Sequence, residues 1–388
     1  MLKKACSIVG ICVLFFLILE GLCSGLFVAY RLWTPFEHRT LSGHSVKYDP
    51  ELGWTTVPNF FDKDYYAPDT YLRINSQGFR ADHDFTKQAP QGKIRVICSG
   101  DSQTFGDGVS NNHTWCQDLE ALDGRFEAVN MAESGYGADQ MYLRYKREGA
   151  VLDHDIHVFA FVTADFLRMN FTVLGGYGKP VLKLKNSELV VENVPVPPRS
   201  ALLHWLALKP HPLRQFRSLA LMADLADHLV PRRDTGFSKG PNTKEAEILD
   251  KMFEDLVSIE SQKNSIVVLL WIPERETDYK PGGPTPAWEQ WIRAQSEKRG
   301  MVLVDLIDSF KKLPVTRKDG LYIWPGSLQY FAETPGHFDD QGHEWVARAL
   351  YARLISITQV AQKLAIPGGG SQVAQHRFDP TAASAESR

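Results

Sequence analysis

Cysteine is scarce in this chain: of five, Cys6, Cys12 and Cys23 fall in the apolar amino-terminal run, leaving only Cys98 and Cys116 beyond it. Two thiols make no disulfide scaffold, and Cys98, on an apolar stretch just before Gly100, points to two packed thiols rather than a bridge. Charge of one sign is also missing. The formal net charge is -3 and the sequence pI is near 6.5. With no zinc-finger spacing and no arginine-rich stripe, nucleic acid is excluded as the expected partner. His154 and His157 lack a matching carboxylate or cysteine pattern, so neither a metal nor a cofactor is expected. No internal repeat is present.

What is there begins with a hydrophobic content of 44% and a charged content of 23% over 388 residues, enough for one large core plus appendages. Residues 1–33 open with Lys3 and Lys4, then run apolar from Ala5 to Leu19 and from Gly21 to Leu32, with Glu20 between. That length can span a bilayer, and a charge inside it is costly. The lysines favour a cytoplasmic amino terminus, which predicts a single-pass anchor in the inner membrane with the remainder facing the periplasm or cell exterior. A cleaved signal peptide is the alternative.

Residues 34–92 are rich in turns and aromatics, including Leu52-Gly-Trp54 and Asn75-Ser-Gln-Gly-Phe-Arg80, and read as an irregular arm packed on the main domain. From there the pattern alternates. Strands are predicted at Ile94–Ser99, Phe126–Met131, Val158–Val162, Ser265–Ile272 and Met301–Asp305, and helices at Trp115–Leu122, Asp139–Arg147, Lys244–Gln262, Ala287–Lys298 and Glu344–Thr358. Short apolar runs between amphipathic helices predict βαβ units around a parallel sheet, making an α/β domain over 93–365. An insertion at about 166–243 interrupts it, with a hairpin at Val181–Lys185 and Glu188–Glu192, a Pro-rich link at 194–198 and a helical stretch over 201–230. Residues 366–388 form a polar tail expected to be disordered.

The strand Ile94–Ser99 runs directly into Gly100-Asp101-Ser102, which leaves the Ser102 hydroxyl at the carboxyl edge of the sheet, where open α/β folds place ligands. Asp-Ser is also an ordinary helix cap. A hydroxyl at a helix start, however, lies beside backbone N–H groups able to stabilise an oxyanion. A serine nucleophile needs a base, and His337, in the loop Pro335-Gly-His-Phe-Asp-Asp-Gln-Gly-His343 before the last helix, is the candidate. His343, at the helix start, is better suited to capping or packing. Asp101 and Asp165 read as structural partners or caps, and Trp271, Trp288 and Trp291 as core.

Taken together, these segments resemble the SGNH (GDSL-type) hydrolase family in its membrane-anchored bacterial form. Gly100–Gly106 is similar to the family's first block, Asn130–Gly137 to its second and His337–His343 to its last; Leu52–Trp54 and Asn75–Arg80 resemble the leader of anchored members. The resemblance implies a three-layer, flavodoxin-like sandwich. It also implies Ser102 as nucleophile, His337 as general base, and the N–H groups of Ser102 and Gly135 as oxyanion donors. Two positions depart from the family. Ala164 stands where the third block supplies an oxyanion asparagine, with Thr163 or Asn170 as candidate substitutes. Thr334 stands where an aspartate usually orients the histidine, so Glu333 or a backbone carbonyl is expected to serve. The implied activity is cleavage or transfer of an acyl ester through an acyl-serine, with an acetylated glycan as the analogous substrate. The alternative is a catalytically weakened binding or assembly protein of cell-surface polysaccharide metabolism. Oligomeric state is not legible.

Overall fold

The computed structural model describes residues 2–33, 45–174, 177–198, 218, 239–274, 285–324, 334 and 336–364. Five parallel strands form its centre: β1 (Ile94–Ser99), β2 (Phe126–Asn130), β3 (Ile156–Phe161), β4 (Ile266–Trp271) and β5 (Val302–Asp305), in the spatial order β5-β4-β3-β1-β2. This is the flavodoxin-type order, and its switch point lies between β1 and β3. The strands read as apolar runs because both faces are covered. Ile97, Val129, Phe159, Leu269 and Trp271 face one layer, which includes the helix Thr243–Gln262. Val96, Ala128, Val158, Val268 and Leu270 face the other, built on Trp115–Leu122 and Asp340–Ile355. The alternation follows from the two-residue period of a strand.

Predicted and observed elements agree in type and differ at their ends. The helix predicted at Glu344–Thr358 runs from Asp340 to Ile355, with a separate short helix Thr358–Lys363 after it, and starts early because Asp339 caps it, accepting from the Gly342 N–H at 2.9 Å. The hairpin Val181–Lys185 with Glu188–Glu192 is found in the predicted register. The helical stretch over 201–230, apart from Ser218, and the tail 366–388 lie outside the described residues.

The arm departs from the irregular path expected of it. It folds into two antiparallel hairpins, Val46–Asp49 with Gly53–Thr56 and Phe61–Ala67 with Thr70–Arg73. Its aromatics alternate too loosely to announce strands, and their burial against the main domain decides the matter. Trp54, Tyr66 and Leu72 are fully buried.

Leu2–Trp33 forms one helix, and its stretch Ser7–Leu26, with a mean hydropathy of 2.3, is long enough to cross a membrane. Glu20 is not unpartnered. Its carboxylate accepts from the N–H and hydroxyl of Ser218 at 2.9 and 2.7 Å and from the Ser24 hydroxyl at 3.3 Å. Cys98 and Cys116 are free, buried thiols in contact, and burial pushes the Cys116 pKa up.

Candidate active site

The carboxyl ends of β1, β2 and β3 deliver three loops to one edge of the sheet. After β1 the chain turns at once into the short helix Ser102–Phe105. Asp101 caps it, accepting from the Gln103 N–H at 2.9 Å, and Gly106 closes it with φ of 91°. After β2, Gly135 adopts φ of 78°, a conformation that favours glycine. The two loops are bound together. Glu133 N–H donates to the Gly100 carbonyl at 3.2 Å, and Asn130 Nδ2 donates to the Thr104 carbonyl at 2.9 Å.

His337 arrives from the far end of the chain. Its loop pairs with Leu321–Ile323: Ile323 N–H donates to the His337 carbonyl at 2.8 Å, Gly336 N–H to the Ile323 carbonyl at 3.0 Å and Asp339 N–H to the Leu321 carbonyl at 3.0 Å. This brings His337 Nε2 to 2.7 Å from Ser102 Oγ. The other ring nitrogen, Nδ1, lies 3.1 Å from the Thr334 carbonyl. A carbonyl only accepts, so Nδ1 carries the proton and Nε2 accepts from the Ser102 hydroxyl. Ser102 is 8% exposed and His337 half-buried, so the pair sits in a shielded but reachable edge.

Of the expected site residues, Ser102 and His337 are brought into contact, and Gly135 lies in the loop bonded to that of Ser102. Glu333 lies outside the described residues. Within them the carbonyl of Thr334 meets the imidazole. The Ala164 N–H donates to Glu274 Oε2 at 3.3 Å and its methyl is no hydrogen-bond donor. The two candidate substitutes have partners of their own: the Thr163 hydroxyl accepts from the Trp271 indole at 3.3 Å, and Asn170 Nδ2 donates to Glu245 at 2.7 Å.

Arg168 and Asp107 gave no local signal, whereas Asp165 and the arm residues are legible in the sequence without their partners. Arg168 donates to Asp101 at 3.1 Å and to Asp165 at 2.5 Å, holding the cap of the Ser102 helix. Asp165 in turn accepts from Val162 N–H at 2.9 Å, while burial and the Asp101 carboxylate push its pKa up. Asp107 joins the first two loops, accepting from Ser134 Oγ at 2.6 Å and Tyr66 at 3.0 Å. From the arm, Arg80 donates to the carbonyls of Phe105, Gly106 and Val109, at and just beyond the end of the helix that Ser102 opens. Trp54 stands between the rings of Tyr136 and Tyr177. Its neighbour Gly53, at φ of 90°, leaves no room for a Cβ, which would lie 2.2 Å from the Gly178 carbonyl.

His343 is fully buried and accepts from the Trp115 N–H at 3.2 Å, capping the helix Trp115–Leu122 from another element; burial lowers its pKa to about 3. A second serine–histidine contact, Ser99 Oγ to His157 Nε2 at 2.9 Å, is backed by Glu260 at 3.1 Å from His157 Nδ1. All three are buried at 1% exposure or less, so no substrate reaches them. Burial raises the cost of ionising Glu260, yet hydrogen bonds from His154 and His157 hold its pKa below the ordinary value. This carboxylate, distant in sequence, explains the two histidines that matched no metal pattern.

No family model matches the chain, and no curated protein matches it. Among solved structures it is similar to a lipolytic protein of the G-D-S-L family from Veillonella parvula DSM 2008, at 13% identity and a TM-score of 0.36, covering 66% of this chain and 95% of that one. A lipase/acylhydrolase from Enterococcus faecalis is similar at 12% identity and a TM-score of 0.38, covering 67% and 95%. An acetyl xylan esterase is similar at 14% identity and a TM-score of 0.37, covering 68% and 100%. These likenesses concern the fold alone.

Proposed function

We propose that this chain is a serine esterase of the SGNH type, anchored by its amino-terminal helix with its α/β domain facing the periplasm or cell exterior. The observation that carries this reading is the 2.7 Å contact between Ser102 Oγ and His337 Nε2, in the tautomer that accepts a proton. Ser102 Oγ attacks the ester carbonyl while His337 Nε2 takes its proton. The new C–O bond leaves the negative charge on the carbonyl oxygen, for which the Ser102 and Gly135 N–H groups are the donors in this reading. Collapse breaks the bond to the alcohol, which leaves with the proton from His337. Water then repeats the sequence on the acyl-serine, and a sugar hydroxyl in place of water would make the same site a transferase. An acetylated surface glycan is the substrate class we assign, by analogy with the family resemblance.

Ala164 favours a second reading, a binding or assembly protein of cell-surface polysaccharide metabolism with weakened catalysis. Lacking a side-chain donor typically costs about 10²- to 10³-fold in rate. A fluorophosphonate probe separates the two. The esterase predicts labelling that vanishes in Ser102→Ala, and folded protein that takes no label would leave only the binding role.

A further inference from the structure

We infer that Gln103, the residue following the nucleophile, is a positioning residue for His337; this rests on the esterase reading. Its side-chain amide reaches the histidine loop on both sides of the base. Gln103 Nε2 donates to the Gly336 carbonyl at 3.3 Å, and the Phe338 N–H donates to Gln103 Oε1 at 3.2 Å. The orientation of the amide is determined by its partners, because a carbonyl can only accept and a backbone N–H can only donate. One side chain therefore grips the peptide units flanking His337 as a strand neighbour would, while its own backbone N–H is held by Asp101. Asp101 is held by Arg168.

The consequence is a rigid link between two groups that share a proton but lie 235 residues apart in sequence. Among the described residues the His337 ring meets a backbone carbonyl, at Thr334, rather than a carboxylate. A carbonyl orients the ring only as well as its own loop is held. Leu321–Ile323 holds that loop from one side, and Gln103 holds it from the side of the nucleophile. Gln103 is 6% exposed, so water competes poorly for its amide. Displacing a catalytic group by about 1 Å can cost on the order of 100-fold in rate, which gives this clamp a measurable effect.

A double-mutant cycle on the full-length, detergent-solubilised protein tests the assignment, with p-nitrophenyl acetate as substrate. Gln103→Met keeps length and removes both hydrogen bonds. It should lower kcat about 10- to 100-fold with KM within about twofold, and it should leave the residual rate of His337→Ala unchanged, since a residue acting through the base has nothing left to position. Gln103→Glu, which keeps the acceptor for Phe338 and loses the donor to Gly336, should fall between wild type and Gln103→Met; it carries the test if the methionine variant fails to fold. Wild-type rates in Gln103→Met, or an equal drop in the His337→Ala background, would overturn the inference while leaving the esterase intact. A Ser102→Ala rate equal to that of wild type would instead remove the esterase reading, and the inference with it.

Discussion

Trp54 donates its indole N–H to the Ser134 carbonyl at 3.0 Å, joining the arm to the loop that carries Gly135. On the other side of that glycine, the Tyr136 hydroxyl donates to the Trp54 carbonyl at 2.6 Å. The residue with the candidate oxyanion N–H is thus bracketed by a single arm residue, and the arm is part of the site's framework.

Replacing Trp54 by Phe keeps an aromatic between Tyr136 and Tyr177 and removes the donor. A buried carbonyl left without its partner costs about 1–3 kcal/mol. Because the loop slackens beside the candidate oxyanion N–H, kcat should fall about 10-fold, less than the loss known for deleting such a donor outright. Steady-state kinetics and urea unfolding check both parts. An unchanged kcat with lowered stability would make Trp54 a packing residue only.

Arg80 is 1% exposed and spreads its guanidinium over three carbonyls and the Asn111 side chain. Arg80→Met strands the Val109 carbonyl and leaves those of Gly106 and Phe105 only the Val109 N–H and the Asn130 amide, so unfolding free energy should drop by about 3 kcal/mol. Arg80→Lys should recover only part, because one ammonium cannot reproduce the planar fork. Urea midpoints for the two variants decide it, and a lysine variant as stable as wild type would refute the role of the fork.

His343 sets part of the acid limit of stability. Burial drops its pKa from 6.5 to about 3, so between those values the unfolded chain binds the extra proton. Its contribution is complete above pH 6.5 and is lost as pH falls toward 3. His343→Asn retains an acceptor for the Trp115 N–H without a titrating ring. Urea midpoints measured from about pH 7 down to about pH 4 should fall less steeply in this variant than in wild type. Parallel slopes would show that His343 does not govern this limb.

Much of the core was legible because its signals are local. An apolar run such as Ser265–Ile272 suits a strand covered on both faces, and Gly100-Asp101-Ser102 after a strand announces a turn into a helix. The hairpin at residues 181–192 carries its turn in Asn186-Ser187, both at positive φ. Ser102 and His337 were each visible as candidates, but their 2.7 Å contact was not, since nothing local encodes which loops meet.

The sequence by itself determined the order of the central strands and their helices, the apolar leader and the reactive residue types, because these follow from periodicity, turn chemistry and side-chain identity. Only the tertiary structure decided that Thr334 offers its carbonyl to His337, that Gln103 spans the His337 loop and that Arg80 and Trp54 brace the loops after the first two strands. Each of these is a hydrogen bond between segments far apart in the chain. Such pairings depend on which buried polar groups the packed sheet leaves facing one another, a property of the assembled fold that no single segment contains.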